Sequence, residues 1–522
     1  MFAQIKGALG CGGVDQRLHR HKSVSSIFAV APRNFAADDA DDGSGARRRA
    51  VAAALPARGM PTTVGAAARA ADVVEKQVRR ARVDADTCSL NASLLRRKIS
   101  SLADFHLRHW KPRSVSLREM QSTYGGLAGW GRTRFQIVDG ALHYPDLKHN
   151  TFGCVLRRTP ILAWALLELL ERHPKLPDVD VPVNCRDKPG SELRPRRAPI
   201  LAFSYTTGRG FSDVPLPDYT YWGLPYADLP PWPAWLKSME EPQYAWGAKR
   251  DSIIWVGSPT NPLRSAFAKC AAAELGSTLV HRMPNKDQMH ELAWRCKPGA
   301  PGMPCATKPD QWTPLEEQCR HRYILHMPGI SDWLEHFKHQ LACGSVNIFL
   351  GRRPNHRALP DGAAPARAAG VSAPRSFEHF DFSGPLLREG EGFIFVPLSG
   401  SGGGACKQLR ATLRELDKSP AKAQCIARRG QQLAAELAMP RVYDYMASLL
   451  TGASLRQQAG VAKAAAKAER SRRVTKANFF SFVPPAKRPW MEHIFRQWHS
   501  DRFNATPLLP PRAEETASGL FH

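Results

Sequence analysis

Two apolar strands that each run into a loop constrain this chain more than any other feature. The first begins at Phe203 and continues into a loop rich in glycine, proline and aromatic residues that ends at Trp222. The second begins at Ile253 and is followed by a Gly-Ser-Pro turn and Arg264. Ligands of open α/β sheets bind beyond the carboxyl ends of the strands. These two strand ends therefore predict the rim of an active site.

Helical and extended patterns alternate along the chain. A hairpin is predicted over residues 135–144, because Asp139-Gly140 is a favoured two-residue turn. Pro160 opens a helical pattern that runs to Arg172, and an extended pattern follows over residues 178–184. Helix and strand patterns recur up to residue 450, which is typical of an α/β fold.

The chain of 522 residues is strongly basic, with 73 Lys and Arg against 47 Asp and Glu and a formal charge of +26. Such a charge favours anionic partners, including nucleic acid. The basic runs at residues 47–49, 79–82 and 463–473 lie outside the apolar periodic region. We interpret them as solvated tails and expect no nucleic-acid partner, since no nucleic-acid-binding motif is present.

The 11 cysteines form no CxxC pair, so we expect no zinc ribbon and no metal site. Cys296 and Cys305 flank a turn rich in proline and glycine and could close a small disulfide, although free thiols fit equally well. No window approaches the roughly 20 apolar residues of a membrane span. Residues 26–32 are too short for a clear signal peptide.

Six segments between residues 131 and 455 carry a family pattern. They are Leu176–Asp187; Phe203–Ser204; Asp213–Val214 with Pro217–Trp222; Trp255–Ser258 with Arg264; Cys319–Tyr323 with Gly329; and Leu341–Ser345. In this order they resemble glycosyltransferase family 90, the capsule-associated and Rumi-like protein O-glucosyltransferases. Each segment alone is a weak signal. The six segments in the order of the family are a much more specific signal.

The resemblance implies a GT-B-like fold, in which two Rossmann-like halves face a central cleft. It also implies metal-independent, inverting transfer of glucose or xylose from a UDP-sugar to a hydroxyl of a protein or glycan, in the ER or Golgi lumen. The UDP-sugar is a donor substrate, and no further cofactor is expected. We expect a monomer.

Composition and resemblance together predict four regions. These are a disordered Ala/Arg/Gly-rich region (1–98), an acceptor-side half (99–248), a nucleotide-sugar-side half (249–455) with a flexible insertion (352–376), and a basic helical segment with an aromatic, proline-rich tail (456–522).

The resemblance assigns the general base to Asp187 in the motif Asn184-Cys-Arg-Asp187. A base must take the proton of the acceptor hydroxyl as it attacks the sugar, and an Asp at a strand end can reach into a cleft. The alternative is that Asp187 caps a turn or pairs with Arg186. Asp213 and Trp222 are interpreted as a loop-fixing carboxylate and a core aromatic.

The resemblance places nucleotide-sugar contacts at Ser258, Arg264 and Gly329. A planar guanidinium matches the oxygens of a diphosphate, whereas the alternative for Arg264 is a surface residue of a helix. Trp232 lies where the family has an aromatic that meets sugar and acceptor. An ordinary packing role for it is equally plausible.

The chain departs from the family at the diphosphate-binding segment. His336 stands at the position of an arginine, and Val256 stands where an arginine is usual. Histidine is mostly neutral at pH 7 and makes a weaker clamp, so Lys338 is the candidate substitute. The alternatives to an active transferase are therefore a catalytically impaired member that binds a nucleotide sugar or glycan, and a basic nucleic-acid-binding protein.

Overall fold

The structure is a computed structural model. It describes residues 88–126, 131–144, 158–193, 200–208, 210–223, 229–257, 263–264, 267, 279–282, 315–329, 336–351, 377–397, 404–483, 488, 492 and 495. The predicted insertion at 352–376 and the Cys296–Cys305 pair lie outside these residues.

The α/β class is confirmed, with helices and strands interleaved along the chain. The helices are α1 (Ala92–Ser100), α2 (Leu102–His106), α3 (Leu117–Gly126), α4 (Thr159–Arg172), α5 (Trp232–Ser238), α6 (Leu315–Gln318), α7 (Phe337–Ala342), α8 (Ala405–Lys418), α9 (Pro420–Glu436), α10 (Met439–Arg456) and α11 (Val461–Ala468). The strands are β1 (Arg132–Val138), β2 (Ala141–Tyr144), β3 (Val179–Asn184), β4 (Phe203–Ser204), β5 (Thr207–Gly208), β6 (Val214–Pro215), β7 (Arg250–Val256), β8 (Leu279–Arg282), β9 (His321–His326), β10 (Val346–Gly351), β11 (His379–Phe380), β12 (Phe393–Pro397) and β13 (Arg472–Val474).

The first sheet has the strand order β13-β2-β1-β3-β4-β6. The β13–β2, β2–β1 and β1–β3 pairs are antiparallel, and the β3–β4 and β4–β6 pairs are parallel. This half was predicted to be Rossmann-like, but its sheet is mixed. The β1–β2 hairpin was correctly predicted, and both turn residues, Asp139 and Gly140, have positive φ.

The second sheet is entirely parallel, with the order β12-β10-β9-β7-β8. Numbered within this sheet from β7, the strands follow the order 2-1-3-4-5, a doubly wound topology. Successive residues of β7 point to opposite faces, so that Ile253 and Trp255 belong to the core cluster that also contains residues of α8 and α9. Ile254 packs on the other face, into a core cluster that also contains Phe135 and Val181 of the first sheet.

The C-terminal segment, residues 461–483, is attached to the first sheet through β13. Strand β13 pairs with β2, and Phe479 packs edge-on against Trp164 of α4 at a centroid distance of 5.3 Å. Beneath the segment, Arg134 donates to Asp180 at 2.8 Å and to Glu469 at 3.0 Å. The interpretation of residues 463–473 as a solvated tail is therefore wrong, because their apolar and ionic contacts attach them to the sheet.

The ordered chain begins before the predicted boundary at residue 98. Helix α1 buries Leu95 and Ile99, which are 7% and 5% exposed. A disulfide joins Cys88 to Cys425 of α9, and the backbone N–H of Leu90 donates to the Gln432 side chain at 2.8 Å. Local composition could not reveal this boundary, since the partners lie more than 300 residues away.

A second disulfide joins Cys319, before β9, to Cys343, after α7. Cys185 and Cys406 are also disulfide-bonded. Across the part of the chain that the structure describes, no helix combines the length and apolarity needed to cross a membrane.

Candidate functional site

The loop after β3 carries Asp187 and is shaped by the side chain of Asn184. The Asn184 carbonyl oxygen accepts from the backbone N–H of Arg186 at 3.1 Å, and its amide donates to the carbonyl of Lys188 at 2.9 Å. Asn184 thus fixes the turn on both sides of Asp187. The side chain of Asp187 is 40% exposed, so its carboxylate can meet a substrate.

Arg158, just before α4, holds this carboxylate. Its Nη1 lies 2.7 Å from Oδ1 of Asp187, and the same nitrogen donates to the carbonyl of Cys185. The guanidinium lies 4.9 Å from the ring centroid of Tyr219. The prediction had left open a pairing with Arg186, but the structure pairs Asp187 with Arg158.

Asp213 holds the far end of the same loop, as predicted. Its two oxygens accept from the backbone N–H groups of Gly190 and Ser191 at 3.0 and 2.7 Å. Burial raises its pKa to about 6, and these hydrogen bonds oppose that rise. Trp222 is a core aromatic, as predicted, and its indole N–H donates to Glu168 and Tyr443 at 3.1 and 2.9 Å.

The second part of the site lies where the strand order of the parallel sheet reverses, between β7 and β9. Doubly wound sheets bind ligands at this switch point. Arg264, which follows β7, donates to the carbonyl of Met327, which follows β9, at 2.9 Å. A Cβ placed on Gly329 would lie 3.4 Å from its guanidinium. The structure therefore brings Arg264 and Gly329 together, and burial lowers the pKa of Arg264.

His336 immediately precedes α7 and lies close enough to His326, the last residue of β9, to interact with it electrostatically. His326 lies 2.8 Å from Oδ1 of Asn347 and stacks on Phe349. Burial is the main reason that the pKa of His326 falls to about 4. His336 therefore stands near the Arg264 and Gly329 strand end, at the position that the family gives to arginine.

Lys338 is committed to partners within the protein. Its ammonium contacts both oxygens of Asp218, at 2.8 and 2.7 Å, and the hydroxyl of Thr220. It also lies over the ring of Tyr221 and is 3% exposed. This placement corrects the prediction that Lys338 substitutes for a diphosphate clamp, because its charge is already neutralised in the interior.

Asp218 and Tyr219 connect the two parts of the site. Asp218 holds Lys338, two residues after His336, while the neighbouring Tyr219 lies beneath the guanidinium of Arg158. The strand end that carries Asp187 and the helix that follows His336 thus meet on adjacent residues of one short segment.

Trp232 lies in the interior and not at a sugar-binding surface. Its side chain is fully buried, and the indole N–H donates to the carbonyl of Leu437 at 3.0 Å. Its ring packs edge-on against His339. The packing role, which the sequence had left open, is the one that the structure supports.

Ser258 lies outside the described residues, so its role stays a prediction. Sequence reasoning missed Arg158 and Asp218. Arg158 belongs to no motif, whereas Asp218 lies inside the aromatic loop that had been singled out as a rim. In the described segments, no three His, Cys, Asp or Glu side chains are grouped so as to hold a metal ion.

A mostly apolar cavity beneath the C-terminal segment is a separate feature. Its lining includes Phe135, Ala163, Val474, Phe479 and Phe482. Such a lining offers no charge for a diphosphate, so we do not assign the donor to it.

A sequence model described as "Glycosyl transferase family 90" matches residues 101–354 and 386–516. An O-glucosyltransferase rumi homolog of Anopheles gambiae is 29% identical over 186 residues, 34% of this chain and 43% of that protein. The rumi homolog of Aedes aegypti is 27% identical over 188 residues, 34% of this chain and 44% of that protein. The matched part of this chain thus spans less than half the length of either relative.

Proposed function

Because the chain belongs to glycosyltransferase family 90, we propose that it transfers glucose or xylose from a UDP-sugar to a hydroxyl of a protein or glycan. The relatives named O-glucosyltransferases support glucose as the donor sugar to test first. Two features together carry the proposal. One is the accessible carboxylate of Asp187, which Arg158 holds in place, and the other is Arg264 at the switch point of the parallel sheet.

The chemistry follows from these two positions. Asp187 takes the proton of the acceptor hydroxyl while the acceptor oxygen forms a bond to C1 of the sugar. The bond between C1 and the phosphate oxygen breaks, and UDP leaves with the electron pair. Attack from the side opposite UDP inverts the anomeric centre.

Arg264 and nearby backbone N–H groups stabilise the charge of the departing diphosphate. The proposed arrangement is GT-B-like, with the acceptor on the Asp187 side and the nucleotide on the Arg264 side. We further propose that the protein works in the ER or Golgi lumen. The disulfides support an oxidising compartment, since such bonds are rare in the cytosol.

A second candidate is a family member that binds a nucleotide sugar but turns it over poorly. Two observations favour it: His336 stands where the family has an arginine, and Lys338 is held by Asp218. Neither residue then supplies a full positive charge to the diphosphate at neutral pH.

One experiment separates the two candidates. The full chain is incubated with UDP-glucose, UDP-xylose and other UDP-sugars, with and without EDTA, and UDP release is measured. Calorimetry with UDP gives binding independently of turnover. Turnover that continues in EDTA supports a metal-independent transferase. If EDTA abolishes turnover, the protein is still a transferase, but the proposal of metal independence is wrong. Binding without turnover supports the second candidate, and the absence of both overturns the proposal.

A further inference from the structure

A modification signal lies in the first described turn of the chain. Asn91-Ala92-Ser93 has the form Asn-x-Ser/Thr, in which the Asn side chain can accept an N-linked glycan. Both Asn91 and Ser93 are exposed in the folded protein. The triplet is a frequent coincidence by itself, so the local geometry and the compartment must decide its meaning.

The geometry leaves the reactive atom of Asn91 accessible. Asn91 is the N-cap of α1, and its side chain accepts from the backbone N–H of Leu94 at 2.9 Å. An N–H donor requires an oxygen acceptor, so this contact fixes which side-chain atom is Oδ1. The remaining atom, Nδ2, has no partner among the residues that the structure describes. A glycan on Nδ2 leaves the capping oxygen in place.

The surroundings indicate that this segment matures in an oxidising lumen. Cys88, three residues before Asn91, forms a disulfide with Cys425. Structural disulfides form in the secretory compartments, which are also where N-linked glycans are added. The sequence separation of the two cysteines is 337 residues, so Asn91 reaches the lumen long before this bond can close.

The surface beside Asn91 is suited to a sugar. Leu94, one turn along α1, is 40% exposed and is one of the exposed large apolar side chains of the described residues. Sugar rings have apolar faces that can cover such a side chain. On the other side, α1 is fastened to α9 by the ion pair of Arg96 with Glu436 at 3.1 Å. The exposed face of α1 at Leu94 is therefore distinct from the face that Arg96 attaches to α9.

We propose that Asn91 is an N-glycosylation site. The donor is a lipid-diphosphate-linked oligosaccharide, and a separate transferase catalyses the reaction. Nδ2 loses a proton and forms a bond to C1 of the first sugar, while the bond from C1 to the phosphate oxygen breaks and the lipid diphosphate leaves. This inference rests on passage through the lumen and not on the transferase activity proposed above, so either can fail alone.

The test uses the full chain produced behind a cleavable secretion signal in a eukaryotic host. Trypsin releases residues 83–96, a peptide that contains both Cys88 and Asn91, so one fragment reports the disulfide and the glycan. Peptide N-glycosidase in ¹⁸O-water converts a glycosylated Asn into labelled Asp. We expect label at Asn91 in the wild type and in Ser93→Thr.

Two matched variants complete the test. Asn91→Asp keeps a capping oxygen but lacks the amide, and Ser93→Ala keeps Asn91 and its cap but breaks the triplet. Both should lose the mass of one glycan without a change in melting temperature. An unlabelled wild-type peptide from protein whose Cys88–Cys425 bond has formed overturns the proposal. So does label confined to the second triplet of the sequence, Asn504-Ala-Thr506.

Discussion

The Nη1 atom of Arg158 lies 2.7 Å from Oδ1 of Asp187 while the same guanidinium is held by the Cys185 carbonyl and the Tyr219 ring. These two contacts, with the Cys185 carbonyl and the Tyr219 ring, fix the arginine, so the arginine fixes one oxygen of the carboxylate. Oδ2 remains to receive a proton. In this arrangement Arg158 is a positioning residue that acts through Asp187.

Replacing Arg158 should lower turnover more than donor binding. A hydrogen bond to a charged group contributes about 1.5–3 kcal/mol, so Arg158→Met should reduce kcat by about 10- to 150-fold with little change in the KM for the UDP-sugar. Arg158→Lys should recover part of the loss. Arg172→Met is the control, because Arg172 lies on α4 and over a tyrosine ring in the same way. An unchanged kcat in Arg158→Met would remove this role.

Asp187→Asn should abolish transfer while UDP binding survives. The change is nearly isosteric but removes the base, so it acts on the chemical step and not on ground-state binding. Turnover by single-turnover assay and UDP affinity by calorimetry are the two readouts. Wild-type turnover in Asp187→Asn would contradict the assignment.

Arg264→Ala should weaken UDP binding by about 1.5–3 kcal/mol, or roughly 10- to 150-fold in Kd. The guanidinium at the switch point is then missing, although the Met327 carbonyl can take a water in its place. Arg414→Ala, an exposed arginine of α8 in the same half, should leave the Kd unchanged. Equal affinities of wild type and Arg264→Ala would place Arg264 outside the nucleotide site.

Two truncations should differ sharply although their end points are only 11 residues apart. Removal of residues 1–87 keeps Cys88 and α1, so we expect wild-type stability. Removal of residues 1–98 deletes most of α1 and its disulfide, and should cost about 4 kcal/mol or more, since a buried aliphatic side chain contributes ~1.5–3 kcal/mol and a disulfide ~2–5 kcal/mol. Urea unfolding measures both. The Cys88→Ser, Cys425→Ser variant separates the disulfide from the packing, and equal stability of the two truncations would disprove the revised boundary.

His326 should make stability depend on pH. Its pKa falls from 6.5 to about 4 on folding, so the neutral form is favoured in the native state. The contribution of His326 to the free energy of unfolding is fully present above pH 6.5 and is lost as the pH falls towards 4. Between pH 7 and 5 the wild type should lose about 2 kcal/mol more than His326→Gln.

The wild type must be compared with His326→Gln because other groups titrate in the same pH range. Burial raises the pKa values of Asp213 and Asp381 to about 6, so their protonation stabilises the native state as the pH falls. Unfolding free energies at both pH values, measured for both proteins, isolate the histidine. The same loss in both would show that His326 does not titrate as its burial predicts.

The sequence predicted elements with strong local signals. Pro160 correctly marked the start of α4, and Asp139-Gly140 correctly marked the hairpin turn. It did not predict the mixed first sheet, because β4 and β6 are two residues long and β13 pairs with a strand more than 300 residues earlier. A strand of two residues is too short to show alternation of apolar and polar residues. Pairing with a distant strand cannot be recognised from the local sequence.

The candidate site was predictable where a residue belonged to a motif. Asp187 and Arg264 were found through neighbouring residues, whereas Arg158 stands alone before a helix. The partner of Lys338 is Asp218, 120 residues away, so its charge looked available in the sequence although it is neutralised in the fold. Trp232 shows the same limit, since an aromatic among prolines suits a surface as well as a core.

The pairing of β13 with β2 imposes an order on the maturation of the chain. Strand β2 leaves the ribosome roughly 330 residues before its edge partner, a delay on the order of 15–65 s at about 5–20 residues per second. During that interval the outer edge of β2 is open to other extended chains. A nascent chain of this protein therefore depends on protection of one sheet edge until β13 has been made.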